Sequence, residues 1–134
     1  MKYYLSIDAG TSIIKTVIFS QDFNIKYKSS IENKVQTDSK GKSEIDMRSF
    51  WSLTSKLIKS SLKKSKIKNK DIIGVGITGN MVGVWPVNAK GKPVRNAILW
   101  NDARSKEIFD QIQNNNPKIY QKIFDLTGSI VQFG

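Results

Sequence analysis

Tyr3-Tyr4-Leu5-Ser6-Ile7-Asp8-Ala9-Gly10-Thr11-Ser12-Ile13-Ile14-Lys15 decides how the rest of the chain is read. Tyr3, Tyr4, Leu5 and Ile7 show the β-branched and aromatic bias of a strand in a covered sheet. Asp8 to Ser12 interrupt it with turn residues. Ile13, Ile14, Thr16, Val17, Ile18 and Phe19 resume it, so the two runs are expected to pair as a β-hairpin.

The turn has the chemistry a phosphate needs. Gly10 would let the backbone approach closely and adopt a positive φ. Backbone N–H groups and the hydroxyls of Thr11 and Ser12 can donate to phosphate oxygens, as amide nests do. Asp8, at the strand end, can hold a magnesium ion or its waters, and Lys15 adds a positive charge nearby. The same residues also suit an ordinary hairpin turn, which favours Asp, Gly and Ser for its own reasons.

Composition narrows the chemistry. The 134 residues suffice for one domain with a modest core. No apolar run is long enough for a membrane helix, and the N-terminus does not read as a signal peptide. There is no cysteine, hence no disulfide framework or thiolate metal site, and no histidine to act as a base or zinc ligand. Catalysis would rest on carboxylates, hydroxyls, lysines or backbone groups. A reducing cytoplasm suits this composition. The net charge of +11 is nearly all lysine, with arginine only at Arg48, Arg95 and Arg104. Base readout and bidentate phosphate clamps favour arginine. The lysines, densest at Lys63 to Lys70, are therefore read as a solvated surface, and a nucleic-acid face is the alternative.

Further along, Ile25 to Val35 reads as a third strand, which makes an antiparallel meander. Thr37 to Ser43 is a polar loop. A helix is expected to begin within Ser43 to Met47 with Asp46 as N-cap. Phe50, Leu53, Thr54, Leu57, Ile58 and Leu62 form its apolar stripe, and it should end near Lys64. Trp51 is read as a packing residue and Glu44 as a solvated or capping carboxylate. Ile72 to Thr78 reads as a buried strand, parallel to the first if the helix is a crossover. The polar break Gly79 to Gly83 follows, at a strand end where ligands of α/β sheets commonly bind. Val84 to Val87 gives another strand, and Ala97 to Trp100 a short extended run. Helices are expected over Arg104 to Asn114, with Asp102 as a candidate cap, and from Pro117 to Gly128. Ser129 to Gly134 shows no partner.

Four motifs then stand in order: D-A-G-T-S-I-I-K at 8–15, E-I-D-M-R-S-F-W at 44–51, G-V-G-I-T-G-N-M-V-G at 74–83 and G-K-P-V-R-N-A-I-L-W-N-D-A-R-S at 91–105. Together the chain resembles the N-terminal part of the FGGY family of carbohydrate kinases, which includes xylulokinase and glycerol kinase. The resemblance runs through essentially the whole chain.

It implies a ribonuclease H-like, actin/hexokinase-type α/β domain with a mixed sheet and flanking helices. It also implies transfer of the ATP γ-phosphoryl group to a sugar or polyol hydroxyl, with ATP and Mg2+ as cofactors. Such chemistry depends on positioning and electrostatics. By the same resemblance, Asp8 is the carboxylate near magnesium and the phosphates. Gly10, Thr11 and Ser12 form the phosphate-binding turn, and Lys15 takes the place of a basic residue near the nucleotide. Asn80, Met81 and Val82 fall at the sugar-binding loop. Trp100 resembles an aromatic lining the polyol pocket, and Asp102 is a further substrate-side candidate.

Departures shape the expectation. Many relatives have Gln where Asn80 stands, and xylulokinases typically have His at Val82. Glycerol kinases carry Arg and Glu where Met81 and Val82 stand. Valine offers no side-chain hydrogen bond, which argues against glycerol and leaves a ketopentose such as xylulose, or a related polyol. The family's general base lies further along its chains, as does most of the adenosine pocket. Residues 1–134 thus read as the N-terminal portion of the first domain, without a catalytic residue and inactive alone. A homodimer through an unpaired sheet edge is a further expectation. The alternative is a non-catalytic module of the same fold that binds a ligand or nucleic acid. A ribonuclease H-type nuclease is disfavoured, since it needs several clustered carboxylates for two metals.

Overall fold

The computed structural model describes residues 1–131. They divide into two units. One comprises 1–35 and 46–81, the other 36–45 and the residues from 82 onward.

The first unit grows from the quoted stretch. β1 (Tyr3–Ala9) and β2 (Ile13–Ser20) form the expected antiparallel hairpin, with Asp8 opposite Lys15. β3 (Ile25–Glu32) continues the meander on β2. In the second unit, β4 (Gln36–Thr37) and β5 (Ser43–Ile45) pair antiparallel. Back in the first unit, α1 (Met47–Ser65) crosses over to β6 (Ile72–Gly79), which lies parallel to β1. The sheet order is therefore β3-β2-β1-β6, a mixed sheet.

Asp46 is the N-cap of α1. Its carboxylate accepts from the backbone N–H groups of Arg48 and Ser49 at 2.8 and 3.0 Å. The helix stops one turn past Leu62, where Lys66 takes a left-handed conformation. Its inner face meets β2 and β3. Leu5, Ile7 and Ile18 are the buried centre, with Tyr27, Ile58, Leu62, Ile67 and Ile72 packed around them. Trp51 is not a packing residue: it is 68% exposed, on the flank of α1 beside the buried stripe of Thr54, Leu57 and Ser61.

Three hydroxyls sit under α1. Ser61 Oγ donates to the Leu57 carbonyl at 2.8 Å. Its single proton is then used, so it accepts from Thr16 at 2.7 Å and Ser29 at 2.6 Å. Ser61→Ala strips both of their acceptor and is expected to cost about 1–3 kcal/mol. Urea unfolding would measure this. A loss below about 0.5 kcal/mol would mean that the 3.1 Å Thr16–Ser29 contact takes over.

β6 departs from expectation. It is an edge strand and is exposed: Ile77 is 75% accessible, and Ile73 and Val75 are exposed as well. Its apolar run reads as buried, but among the described residues Ile73, Val75 and Ile77 stay exposed.

The second unit holds the small sheet β4-β5-β7, in which β7 is Ala97–Ile98. Ser43-Glu44-Ile45 is thus a buried strand and not the start of α1. Glu44 pairs with Ile98 and Ile45 with Ala97. The strand expected at Val84 to Val87 is reduced to single bridges, Val84 to Ile98 and Val87 to Pro93. α2 (Lys106–Asn115) and α3 (Ile119–Thr127) follow. The Phe109 and Tyr120 rings stack 4.4 Å apart, and Tyr120 donates to the Phe109 carbonyl at 2.7 Å. Gly128 ends α3 in a left-handed conformation. Part of the Ser129 to Gly134 reading, from residue 132 on, lies outside the described residues.

Candidate functional site

In the first unit the candidate residues Asp8, Gly10, Thr11, Ser12, Lys15 and Asn80 gather at one end of β1, β2 and β6. Gly10 does not adopt the positive φ expected of it. What demands glycine is proximity, since a Cβ would lie 2.6 Å from the Ile13 carbonyl oxygen. Gly79 is bound by the same constraint: a Cβ there would lie 2.6 Å from the Ala9 carbonyl oxygen, so β6 can close on β1 only as glycine.

The turn is braced from two sides. Asn33 donates its side-chain amide to the Thr11 carbonyl at 2.7 Å and its backbone N–H to the Ser12 carbonyl at 2.8 Å. From the β6 side, the Asn80 N–H bonds the Ala9 carbonyl at 3.1 Å, and the Thr11 hydroxyl donates to Asn80 Oδ1 at 2.6 Å. Asn33 escaped the sequence reading. It is 22 residues from Thr11 and looks like any polar residue closing a strand. Within this braced turn Ser12 is exposed.

Lys15 Nζ lies 3.4 Å from Asp8 Oδ2 across the hairpin. Both side chains are well exposed, so the pair is worth at most about 1 kcal/mol. Either group is therefore free to turn to a ligand. Among the described residues no three acidic, His or Cys side chains cluster to hold a metal. A lone carboxylate still fits Mg2+, which is commonly held by one or two carboxylates together with substrate phosphates and waters.

Met81 closes the first unit and is exposed. Val82, Trp100 and Asp102 belong to the second unit. Val82 is exposed and has a φ of 64°, costly for a β-branched residue. Trp100 follows β7 and is 52% exposed. Its backbone is pinned on both flanks. The Leu99 N–H bonds the Ser43 carbonyl at 3.0 Å, and the Asp102 N–H bonds the Leu99 carbonyl at 3.0 Å.

Asp102 is 3% exposed and does not cap α2, whose N-cap is Ser105. Its Oδ2 accepts from the Ser43 N–H at 2.8 Å, and Arg104 binds both oxygens at 2.7–3.0 Å. Arg104 also reaches Glu44 Oε1 at 2.7 Å, which Arg95 contacts at 2.6 Å. Glu44 is therefore not a solvated carboxylate: it is 4% exposed and tied to three cations, Lys42 being the third. The Arg104 hydrogen bonds hold the Asp102 pKa down at about 2, against the opposing effect of burial and with help from the Ser43 N–H. Burial pushes Glu44 up, but Arg104, Asn96 and Lys42 outweigh it and its pKa is lowered. The Arg104 guanidinium is held more firmly protonated by Asp102 and Glu44.

The sequence profile of the N-terminal domain of the FGGY family of carbohydrate kinases matches residues 3–134. The chain belongs to that family. It is 32% identical over 127 residues to a probable L-xylulose kinase of Haemophilus influenzae, covering 95% of this chain and 26% of that protein. It is 30% identical over 130 residues to glycerol kinase 2 of Saccharolobus solfataricus, covering 96% and 25%. A crystal structure of a xyloylose kinase from Brucella ovis superposes with a TM-score of 0.83 at 26% identity, over 97% of this chain and 26% of that one. The chain thus spans about a quarter of the length of these relatives. The actin/hexokinase-like fold expected of an FGGY member is the fold observed. Among the described residues no helix is long and apolar enough to cross a membrane.

Proposed function

We propose that this chain supplies the nucleotide-phosphate turn and sugar-side residues of an ATP-dependent kinase acting on a ketopentose such as xylulose, or on a related polyol. The carrying observation is the braced turn Gly10–Ser12, with Asp8 and Lys15 at its base and the end of β6 against it. Backbone donors and the Ser12 hydroxyl orient the phosphates, and Lys15 leaves its exposed partner to neutralise them. Asp8 would hold Mg2+, which offsets charge on the phosphate oxygens when bound. The loop from Asn80 to Val82 and the exposed Trp100 are assigned to the sugar. Met81 and Val82 offer it shape without charge, which favours a ketose over glycerol. ATP as donor and the absence of cysteine fit a cytoplasmic setting.

A base for the acceptor hydroxyl is not assigned here. Asp102 is a poor one, since a carboxylate with a pKa of about 2, buried under Arg104, has little affinity for a proton. The base is proposed to lie in the part of the relatives' length that this chain does not span. The purified chain is therefore expected to show no sugar-dependent ADP formation in a coupled assay. The protein at the length of its relatives should turn over with one of a panel of ketoses and polyols. Turnover by the chain alone would overturn this division of labour, and inactivity of the longer protein on the whole panel would overturn the substrate class.

A further inference from the structure

Thr11 and Asn80 belong to the two stretches assigned to different ligands, the phosphate turn and the sugar loop. They are 69 residues apart in sequence, yet the Thr11 hydroxyl donates to Asn80 Oδ1 at 2.6 Å. Asn80 is held a second time by its own N–H on the Ala9 carbonyl, one residue before the turn. Asn80 therefore holds the turn at its entry through its backbone and at Thr11 through its side chain. Its other half is left without return: Nδ2 is buried and has no hydrogen-bond partner among the described residues. A buried amide normally satisfies both ends, so the link to Thr11 is kept at the expense of the donor. Gly79, immediately before it, is compressed against Ala9 so closely that no side chain fits. The end of β6 and the turn are thus tied by two hydrogen bonds and a close backbone approach.

We propose that the Thr11–Asn80 hydrogen bond is a joint between the phosphate turn and the loop at the end of β6, and that Asn80 is a positioning residue for the turn. Asn80 sets where the turn's donors point, and displacement of the turn by phosphate is passed to Met81, the next residue. The proposal rests on the kinase reading for its purpose but not for its existence, and the two fail separately.

Two backbone amides report on the joint, and neither is an atom of the Thr11–Asn80 side-chain hydrogen bond itself. The Asn33 N–H bonds Ser12 on the far side of the turn, and the Asn80 N–H bonds Ala9. Hydrogen exchange in the 15N-labelled chain reads both. Asn80→Ala is expected to speed exchange at Asn33 about tenfold. Thr11→Val, nearly isosteric, should speed it at Asn80 by a similar factor, while Thr11→Ser, which keeps the hydroxyl, leaves both slow. Unchanged Asn33 exchange in Asn80→Ala, or equal effects of valine and serine at Thr11, would overturn the joint. Should Asn80→Ala fail to fold, the Thr11→Val and Thr11→Ser pair decides alone. Titration with Mg·ATP separates the two ideas: reciprocal exchange effects with no ATP-induced shifts would uphold the joint and count against the nucleotide role of the turn.

Discussion

Asp102→Ala is expected to cost about 3 kcal/mol or more of stability, the scale for breaking a buried ion pair from one side. Two groups lose their partner at once. The buried Ser43 N–H loses its carboxylate acceptor, and Arg104 is left with Glu44 as its ion-pair partner among the described residues. Asp102→Asn should cost less, because the amide oxygen can still accept from Ser43. Arg104→Lys is not conservative here: one ammonium cannot bind both Asp102 oxygens and reach Glu44 as the planar guanidinium does. The pH dependence follows from the same contact. The folded pKa of Asp102, about 2, lies below its ordinary value of 3.8. Between those values the unfolded chain binds the proton and the folded one does not, so stability falls as pH falls. The contribution is complete above about pH 4 and is lost as pH drops toward the folded pKa. Urea titrations followed by tryptophan emission should show this slope in the parent and a flatter one in Asp102→Ala. Equal slopes would show that Asp102 is not the group responsible.

That contact also marks where sequence reading reaches its limit. The β1–β2 hairpin was legible because alternation and turn chemistry are local, and α1 was legible because its stripe and its Asp46 cap lie within one element. β6 was placed correctly as parallel to β1, since a helical crossover leaves little choice. Its exposure was not legible: an apolar run says that a strand wants cover, not whether the residues at hand provide it. The burial of Glu44 and the non-capping role of Asp102 were illegible for a different reason. A carboxylate beside a helix start looks like a cap, and the competing partner of Glu44, Arg104, is 60 residues away. β5 was lost with it, three residues being too few to show a period. Within the candidate site, the turn residues carried their own signal, whereas Asn33, which braces them, carried none.

In the protein at the length of its relatives, Asp8→Asn is expected to lower kcat by about 100-fold to 1,000-fold, the usual scale for removing one group that acts on transition-state charge. Asparagine keeps the shape and one acceptor oxygen, so what is lost is the negative charge that would hold Mg2+ beside the phosphates. The apparent Mg2+ requirement should rise in the same variant. Folding is not expected to suffer, because the pair with Lys15 is long at 3.4 Å and open to solvent. An unchanged urea midpoint would therefore assign the lost rate to chemistry and not to unfolding. Lys15→Met makes the complementary test. On the proposed role the Lys15 charge would act on the nucleotide whether or not Mg2+ is plentiful, so added Mg2+ should not restore the activity of Lys15→Met, whereas it should partly restore that of Asp8→Asn. If Asp8→Asn retained full activity with an ordinary Mg2+ dependence, the end of β1 would be an ordinary hairpin, and the phosphates would have to be bound elsewhere.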